Sequence, residues 1–252
     1  MLRLSVIIIT FNEEANIARC IASVAGVADE VVVIDSHSTD GTVSIATAMG
    51  ARVVQHPFLG YAKQKNFATT HASHDWILSL DADEELTPAL TQSIIAVKAG
   101  ASHNVYKLPR LTNYCGQWIK HCGWYPDWQT RLYNRTKGQW ADRKVHEYWQ
   151  PHSATDTKGT LTGDLLHYSF SSISAHLQKI ERYSELAAQA AVENGKSATI
   201  LKIIFSPFWH FISEYFIKLG FLDGFYGFVI CRLSAYSAFI KYTKIRLYSR
   251  NK

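Results

Sequence analysis

Four acidic side chains fall within the five residues from Asp81 to Glu85 of SLDADEELTP, directly behind the apolar run Trp76, Ile77, Leu78 and Leu80. Asp81 and Asp83 are one residue apart, a spacing that can aim two carboxylates into one volume as the chain leaves a strand. Like charges so close are costly unless a proton or a cation neutralises them. A hard divalent ion does so through oxygen ligands and keeps positions open for water and nucleotide phosphates, so the pair reads as a site for Mg or Mn. The plainer alternative is a solvated acidic turn. For Glu84 and Glu85, with Pro88 behind them, the favoured reading is the start of a helix, whose first turn accepts negative charge.

A second cluster lies in VVVIDSHSTDGT, residues 31–42. Asp35 closes a hydrophobic run, and a partly buried carboxylate there can accept hydrogen bonds from a base or ribose. Asp40 either reaches the same ligand or caps the helix that opens near Gly41. Glu13, in TFNEE, can approach that nucleotide while Asn12 satisfies the turn.

The elements behind these clusters alternate between two periodicities. Residues 4–11, 30–36, 51–56 and 75–81 read as strands, and 13–24, 41–50 and 61–72 as helices. Such alternation predicts an α/β fold with crossover helices on both faces of a mostly parallel sheet. Ligands then belong beyond the carboxyl ends of the strands, where the clusters sit. No GxGxxG follows the first strand, which excludes the usual dinucleotide site. At 252 residues and 47% hydrophobic, the chain can bury a sizeable core as one large domain or one domain with an appendage. The net charge is +5, but acids and bases are interspersed, so no nucleic-acid partner is expected. Cys20, Cys115, Cys122 and Cys231 have neither zinc-site spacing nor a disulfide framework and read as reduced thiols. The start MLRLSVIIITFNEE lacks a signal-peptide pattern, and the expected compartment is the cytoplasm.

LSVIIITFNEE (4–14), VVVIDSHSTDGT (31–42) and SLDADEE (79–85), in this order at successive strand ends, resemble the inverting family 2 glycosyltransferases. Their fold is of the GT-A type, with a nucleotide-diphospho-sugar donor site. GWYPDWQTRLYNR (123–135) and WADRKVHE (140–147) resemble the branch that adds beta-1,4-linked glucose to an inner-core heptose of lipopolysaccharide. The resemblance implies Thr10 and Glu13 at the nucleotide, Asp35 on the base, and Asp81 and Asp83 at the metal and diphosphate. Where family members often carry a second aspartate after Asp35, this chain has Ser36. The implied reaction moves glucose from UDP-glucose to a glycolipid acceptor. Another cell-surface glycolipid or polysaccharide acceptor, or a noncatalytic nucleotide-sugar-binding protein, are the alternatives.

An inverting transfer needs a base at the acceptor hydroxyl. Asp127, four residues before Arg131, resembles the acidic residue that plays this part in the family, or else it organises its loop by a salt bridge. Glu147 is the competing base, with His146 beside it as a candidate for acceptor hydroxyls. Arg131, Arg135, Arg143 and Lys144 would suit a phosphorylated saccharide or the leaving diphosphate. Trp118, Trp124, Trp128 and Trp140 are either sugar platforms or core, with Trp124 the acceptor candidate.

The expected organisation is a catalytic domain over 1–170, with the donor site in 1–100 and the acceptor part in 101–170, followed by a helical, aromatic-rich extension over 171–252. No stretch of the extension reaches the roughly 20 apolar residues that cross a bilayer. Its amphipathic helices either pack internally or lie on an anionic membrane surface, with Lys241, Lys244, Arg246, Arg250 and Lys252 near the head groups. A peripheral position at the inner face of the cytoplasmic membrane follows from the second alternative.

Overall fold

A computed structural model describes residues 1–142, 147–153 and 158–250. The run LSVIIIT forms β1 (Leu4–Thr10), and every residue of it is buried. A strand achieves that only when layers cover both faces of its sheet. Alternation sorts the side chains: Leu4, Val6 and Ile8 enter one core, Ile7 and Ile9 the other. The first core is closed by α1 (Ile17–Val24), whose Ile17, Cys20, Ile21 and Val24 recur at helical spacing. Next come β2 (Glu30–Asp35), α2 (Thr42–Ala48), β3 (Arg52–Gln55) and α3 (Tyr61–His71), which covers the second core through Ala62 and Ala68. β4 (Trp76–Asp81) follows, and the four strands lie parallel in the order β3-β2-β1-β4.

The chain then passes through β5 (Glu84–Leu86), α4 (Pro88–Ala99), β6 (Val105–Tyr114), β7 (Gln117–Ile119) and β8 (Asp127–Asn134). After these come β9 (Gly138–Asp142), β10 (Glu147–Pro151), β11 (Lys158–Thr160) and β12 (Leu165–Phe170). The sheet continues from β4 through β8, β6, β12 and β5, and β8 runs antiparallel to both β4 and β6. β9 and β10 form a separate antiparallel pair. The sheet is therefore parallel where crossover helices connect its strands and mixed beyond β4. Thr87, not Glu84 or Glu85, caps α4, accepting from the Leu90 amide at 3.3 Å with Pro88 at the first helical position. Glu84 and Glu85 lie in β5 instead, because the antiparallel pairing with β12 takes up their backbone.

The chain divides into two compact units. One comprises Met1–Arg110 with Asp127–Tyr168, the other Leu111–Pro126 with Ser169–Lys252. Residues 111–126, expected with the sheet, thus belong with the helices. The second unit contains α5 (Ile173–Glu193), α6 (Ile200–Ile212) and α7 (Gly224–Arg250), and α7 packs against both α5 and α6. Tyr114, Ile119 and Cys122 build one of its cores with Ile230 and Cys231. Lys244 is held by Glu181 at 2.7 Å and Glu185 at 3.1 Å, and Arg246 donates to the Ala198 carbonyl at 3.0 Å. Two of the five cations expected at head groups are thus engaged within the unit, and Lys252 lies outside the described residues. Among the described residues no helix is long and apolar enough to cross a membrane.

Gly163 illustrates how tightly the first unit closes. Its φ is +91°, and a Cβ there would lie 2.2 Å from the Leu90 nitrogen. Gly163→Ala is expected to cost about 2 kcal/mol from the left-handed backbone and the clash together, lowering the thermal midpoint by roughly 4–8 °C in calorimetry.

Candidate active site

Strand alternation decides which side chains meet. Ile77 on β4 and Tyr133 on β8 are register partners in the core beneath α3. Asp81 and Arg131 have the same parity as these two residues and turn toward the same face. The Arg131 guanidinium, 2% exposed, donates to Asp81 Oδ2 at 2.5 Å and to Glu84 Oε1 at 2.5 Å. From α3, the buried Lys65 ammonium stands 2.8 Å from Glu147 Oε1 and 3.8 Å from Asp81 Oδ1. Arg110 on β6 donates to Asp127 Oδ2 through Nε at 3.0 Å and Nη2 at 2.6 Å. Its Nη1 reaches Glu84 Oε1 at 3.4 Å, and Gln129 Nε2 holds Asp127 Oδ1 at 2.7 Å. Asp81, Glu84, Asp127 and Glu147 are thereby joined through Lys65, Arg110 and Arg131.

The electrostatics follow from this pairing. Burial alone would raise the Asp81 carboxyl, but the charges of Arg131, Lys65 and Arg110 hold it well below the usual carboxylate range. Burial likewise opposes ionisation of Glu147, and the Lys65 ammonium prevails and lowers it. Arg131 is pushed up despite its burial by Asp81 and Glu84.

A second set of groups lies at the strand ends. The register places Thr10 opposite Asp35 and Ile9 opposite Asp81, so β1, β2 and β4 finish nearly flush. Asp35 is fully buried; its Oδ2 accepts from the Ser38 amide at 3.0 Å and from Gln55 Nε2 at 3.4 Å. Thr10 Oγ1, Asp35 Oδ1 and Asp81 Oδ1 are buried and have no hydrogen-bond partner among the described residues. Each such group costs about 1–3 kcal/mol if left unpaired. Thr10 and Asp35 are register partners with the parity of one core, so their two oxygens mark a place where a ligand or water belongs, whereas Asp81 turns to the α3 face toward Lys65.

The remaining donor candidates separate. Glu13 Oε2 accepts from Asn16 Nδ2 at 2.6 Å, and its amide donates to Thr42 Oγ1 at 2.8 Å. Asp40 accepts from the Thr42 amide at 3.0 Å and hydroxyl at 2.5 Å, and from the Glu14 amide at 3.2 Å. That is the helix-start role named as its alternative. Asp81 and Asp83 point to different partners, Asp81 to Arg131 and Asp83 to His167, whose Nε2 is 3.2 Å from Asp83 Oδ2. His167 Nδ1 is a further buried atom without a partner among the described residues. Asp83 and His167 supply one oxygen and one nitrogen donor that a divalent ion accepts. No group of three or more His, Cys, Asp or Glu side chains among the described residues forms a metal site by itself. An ion here would take its other ligands from phosphate and water.

On the acceptor side, the Asp127 side chain is 37% exposed and the adjoining Trp128 stands 44% exposed. Arg131, expected at the acceptor, is instead the internal counter-ion of two carboxylates, since its guanidinium has no outlet to solvent. Trp140 packs on Tyr133 in the core. Trp124 belongs to the second unit, packed against Tyr114, Phe170 and His176 with ring centroids within 6 Å. His146, Arg143 and Lys144 lie outside the described residues. Lys65, Arg110 and His167 escaped the motif reading, and Glu84 reads there as a helix start. The available signal was an ionisable residue interrupting a strand, as in VYKLPRL and LLHYSF, or lying on the buried side of a helix.

Comparison with known proteins is consistent throughout the chain. The model of the family described as glycosyl transferase family 2 matches residues 5–159. A glycosyltransferase of Rickettsia typhi is 37% identical over 100% of this chain and 90% of its own. A lipopolysaccharide core biosynthesis glycosyltransferase of Rhizobium meliloti is 33% identical over 99% of this chain and 93% of its own. Among solved structures, glucosyl-3-phosphoglycerate synthase from Mycobacterium tuberculosis, in complex with Mn2+ and UDP-glucose, is similar in fold. It is 18% identical, covers 79% of this chain and 81% of its own, and has a TM-score of 0.50. The α/β architecture is of the GT-A type, with a mixed, largely parallel sheet and a helical C-terminal extension.

The buried carboxylate network has a measurable pH signature. The folded-state pKa of Asp81 is depressed, so its contribution is fully present above the unfolded value of about 4 and is lost as the pH falls below it. Denaturant unfolding from pH 6 downward is expected to show stability falling below about pH 4. Asp81→Asn should make that fall shallower; an unchanged slope would deny the network its electrostatic role.

Proposed function

The chain belongs to glycosyl transferase family 2, and from that membership we propose that it transfers glucose from UDP-glucose to a heptose of a lipopolysaccharide inner core, with inversion to a beta linkage. The observation that carries this reading is the pair of buried, unpartnered oxygens, Thr10 Oγ1 and Asp35 Oδ1, at the neighbouring ends of β1 and β2. A nucleotide supplies what they lack. The ring N–H of a base donates to Asp35 Oδ1, and a ribose or phosphate group meets the Thr10 hydroxyl. The role in lipopolysaccharide core biosynthesis given for the Rhizobium meliloti relative supports the acceptor class.

Asp83 and His167 are the residues that would hold Mg or Mn, and the mixed oxygen and imidazole donors favour Mn. The ion supplies charge neutralisation for the departing diphosphate. Arg131 and Lys65 already neutralise Asp81, which fixes the end of β4 behind the donor.

Asp127 is the base. It is exposed enough to meet an acceptor hydroxyl, and Arg110 and Gln129 orient its carboxylate through three hydrogen bonds, which leaves about one of the roughly four lone-pair directions, on Oδ1, for the acceptor. The acceptor proton passes to Asp127 as the hydroxyl oxygen bonds to the anomeric carbon and the bond to the diphosphate breaks on the opposite face. Glu147 is the weaker candidate, because the Lys65 ammonium stabilises its ionised form and lowers its proton affinity. The exposed Trp128 offers a ring face to the acceptor sugar. A glycolipid acceptor keeps the reaction at the cytoplasmic face of the inner membrane.

Asp127→Asn should retain donor binding by calorimetry while turnover falls roughly 100-fold or more. A nearly active Asp127→Asn beside an inactive Glu147→Gln would transfer the base to Glu147. Chelation, Asp83→Asn or His167→Ala should each weaken UDP-glucose binding by about tenfold or more, and equal affinity with and without Mg or Mn would remove the metal. A product assay with isolated core acceptors and a panel of nucleotide sugars, read by mass and anomeric proton coupling, tests the whole reading. Transfer to no core acceptor, or an alpha-linked product, contradicts it.

A further inference from the structure

The exposed large apolar side chains of this protein are concentrated between Ile200 and Phe228. None of the 13 residues of α6 is buried. One side of the helix is covered by α7, while Phe205, Phe208 and Trp209 stand 63%, 65% and 62% exposed on the other. The bare surface continues past the helix end through Phe216, Phe221 and Phe225. Water gains nothing from so much contiguous apolar surface, and a patch of this kind marks a binding face.

The charge around the patch selects its occupant. Between Ile200 and Arg250 the sequence carries seven Lys and Arg residues and two acids, Glu214 and Asp223. Both acids are withdrawn, their side chains 14% and 6% exposed, and Asp223 is spent on the amides of Lys120 and His121. Lys202 and Lys218, near the two ends of the apolar face, are exposed. The face is therefore apolar at its centre and positive at its rim. A second copy of the chain meeting it symmetrically would bring each positive rim against itself. An anionic bilayer offers hydrocarbon to the centre and opposite charge to the rim.

We propose that α6 and the turn that follows it lie in the plane of an anionic membrane interface, with Phe205, Phe208 and Trp209 inserted among the acyl chains and Lys202 and Lys218 at the head groups. A 13-residue helix is about 20 Å long, shorter than the roughly 30 Å hydrocarbon core, so it rests in the interface and does not span it. Trp209 suits the boundary because an indole buries its rings and keeps its N–H wet. The assignment centres the membrane surface on α6, since Lys244 and Arg246, two of the five C-terminal basic residues, are bound within the unit. It deepens the glycolipid reading above and is separable from it in experiment.

The test uses the full chain and vesicles free of any glycolipid, made of phosphatidylcholine alone or with phosphatidylglycerol. Co-sedimentation with the anionic vesicles is expected at low salt, weakening as salt rises. The double variant Phe205→Asp with Phe208→Asp should lower vesicle partition at least about tenfold while leaving the thermal midpoint unchanged, because both side chains are exposed. Brominated acyl chains should quench tryptophan fluorescence of the wild type, and Trp209→Leu should remove most of that quenching. Turnover on a water-soluble, deacylated acceptor should survive the double substitution; loss of that turnover in the wild type would count against the proposed reaction and leave vesicle binding intact. No binding to anionic vesicles at low salt overturns the inference, as does binding that the double variant retains. A wild-type dimer dissolved by the same substitutions, without vesicle binding, would assign the face to a second copy.

Discussion

The buried guanidinium of Arg131 between Asp81 and Glu84 is the interaction on which the first unit depends. The Arg131 guanidinium and the Glu84 carboxylate are withdrawn from water while Asp81 is partly so, and removing one partner of a buried pair such as Arg131 and Glu84 typically costs about 3–5 kcal/mol. Asp81 closes β4, Glu84 opens β5 and Arg131 lies on β8, so this contact joins the parallel half of the sheet to the antiparallel half. Lys65 extends the network to α3 and β10, and Arg110 extends it to Asp127. Each catalytic candidate is thus one ion pair away from the same buried center of charge.

A contrast in satisfaction organises the site. The network carboxylates are matched by three cations, whereas Thr10 Oγ1 and Asp35 Oδ1, at neighbouring strand ends, have no partner among the described residues. Unpaired oxygens are costly and charged pairs are stiff. The fold gathers the charged pairs around Arg131 and leaves the unpaired oxygens at the neighbouring ends of β1 and β2. Asp40 shows the opposite outcome: its carboxylate is consumed by Thr42 and Glu14, and it serves the loop.

The second unit obeys different physics. Its interior is built from aromatic contacts among Tyr114, Trp124, Phe170 and His176 and from the small residues that let helices approach. Gly227 lies against the Gly220 carbonyl, where a Cβ would come within 1.9 Å. Such packing uses one side of α6 and leaves the other uncovered. The aromatic richness of the segment therefore has two sources, a packed interior and an exposed face.

The sequence by itself determined the alternation of strands and helices through residue 81, because hydrophobic period is a local property and each element there is long enough to display it. It also determined which strand ends carry polar groups, and with them Thr10, Asp35 and Asp81. Only the tertiary structure decided how the charges pair. Asp81 and Asp83 are separated by a single residue in sequence and part company in space, since strand parity sends one toward α3 and antiparallel pairing sets the other beside β12. Glu84 has the composition of a helix start and is instead taken into the core by Arg131, a residue 47 positions away. Lys65 and Arg110 are single cations with no motif around them, and their meaning arises from carboxylates brought in by distant strands. A buried ion pair is a relation between elements, and local sequence carries no record of which partner the fold will deliver.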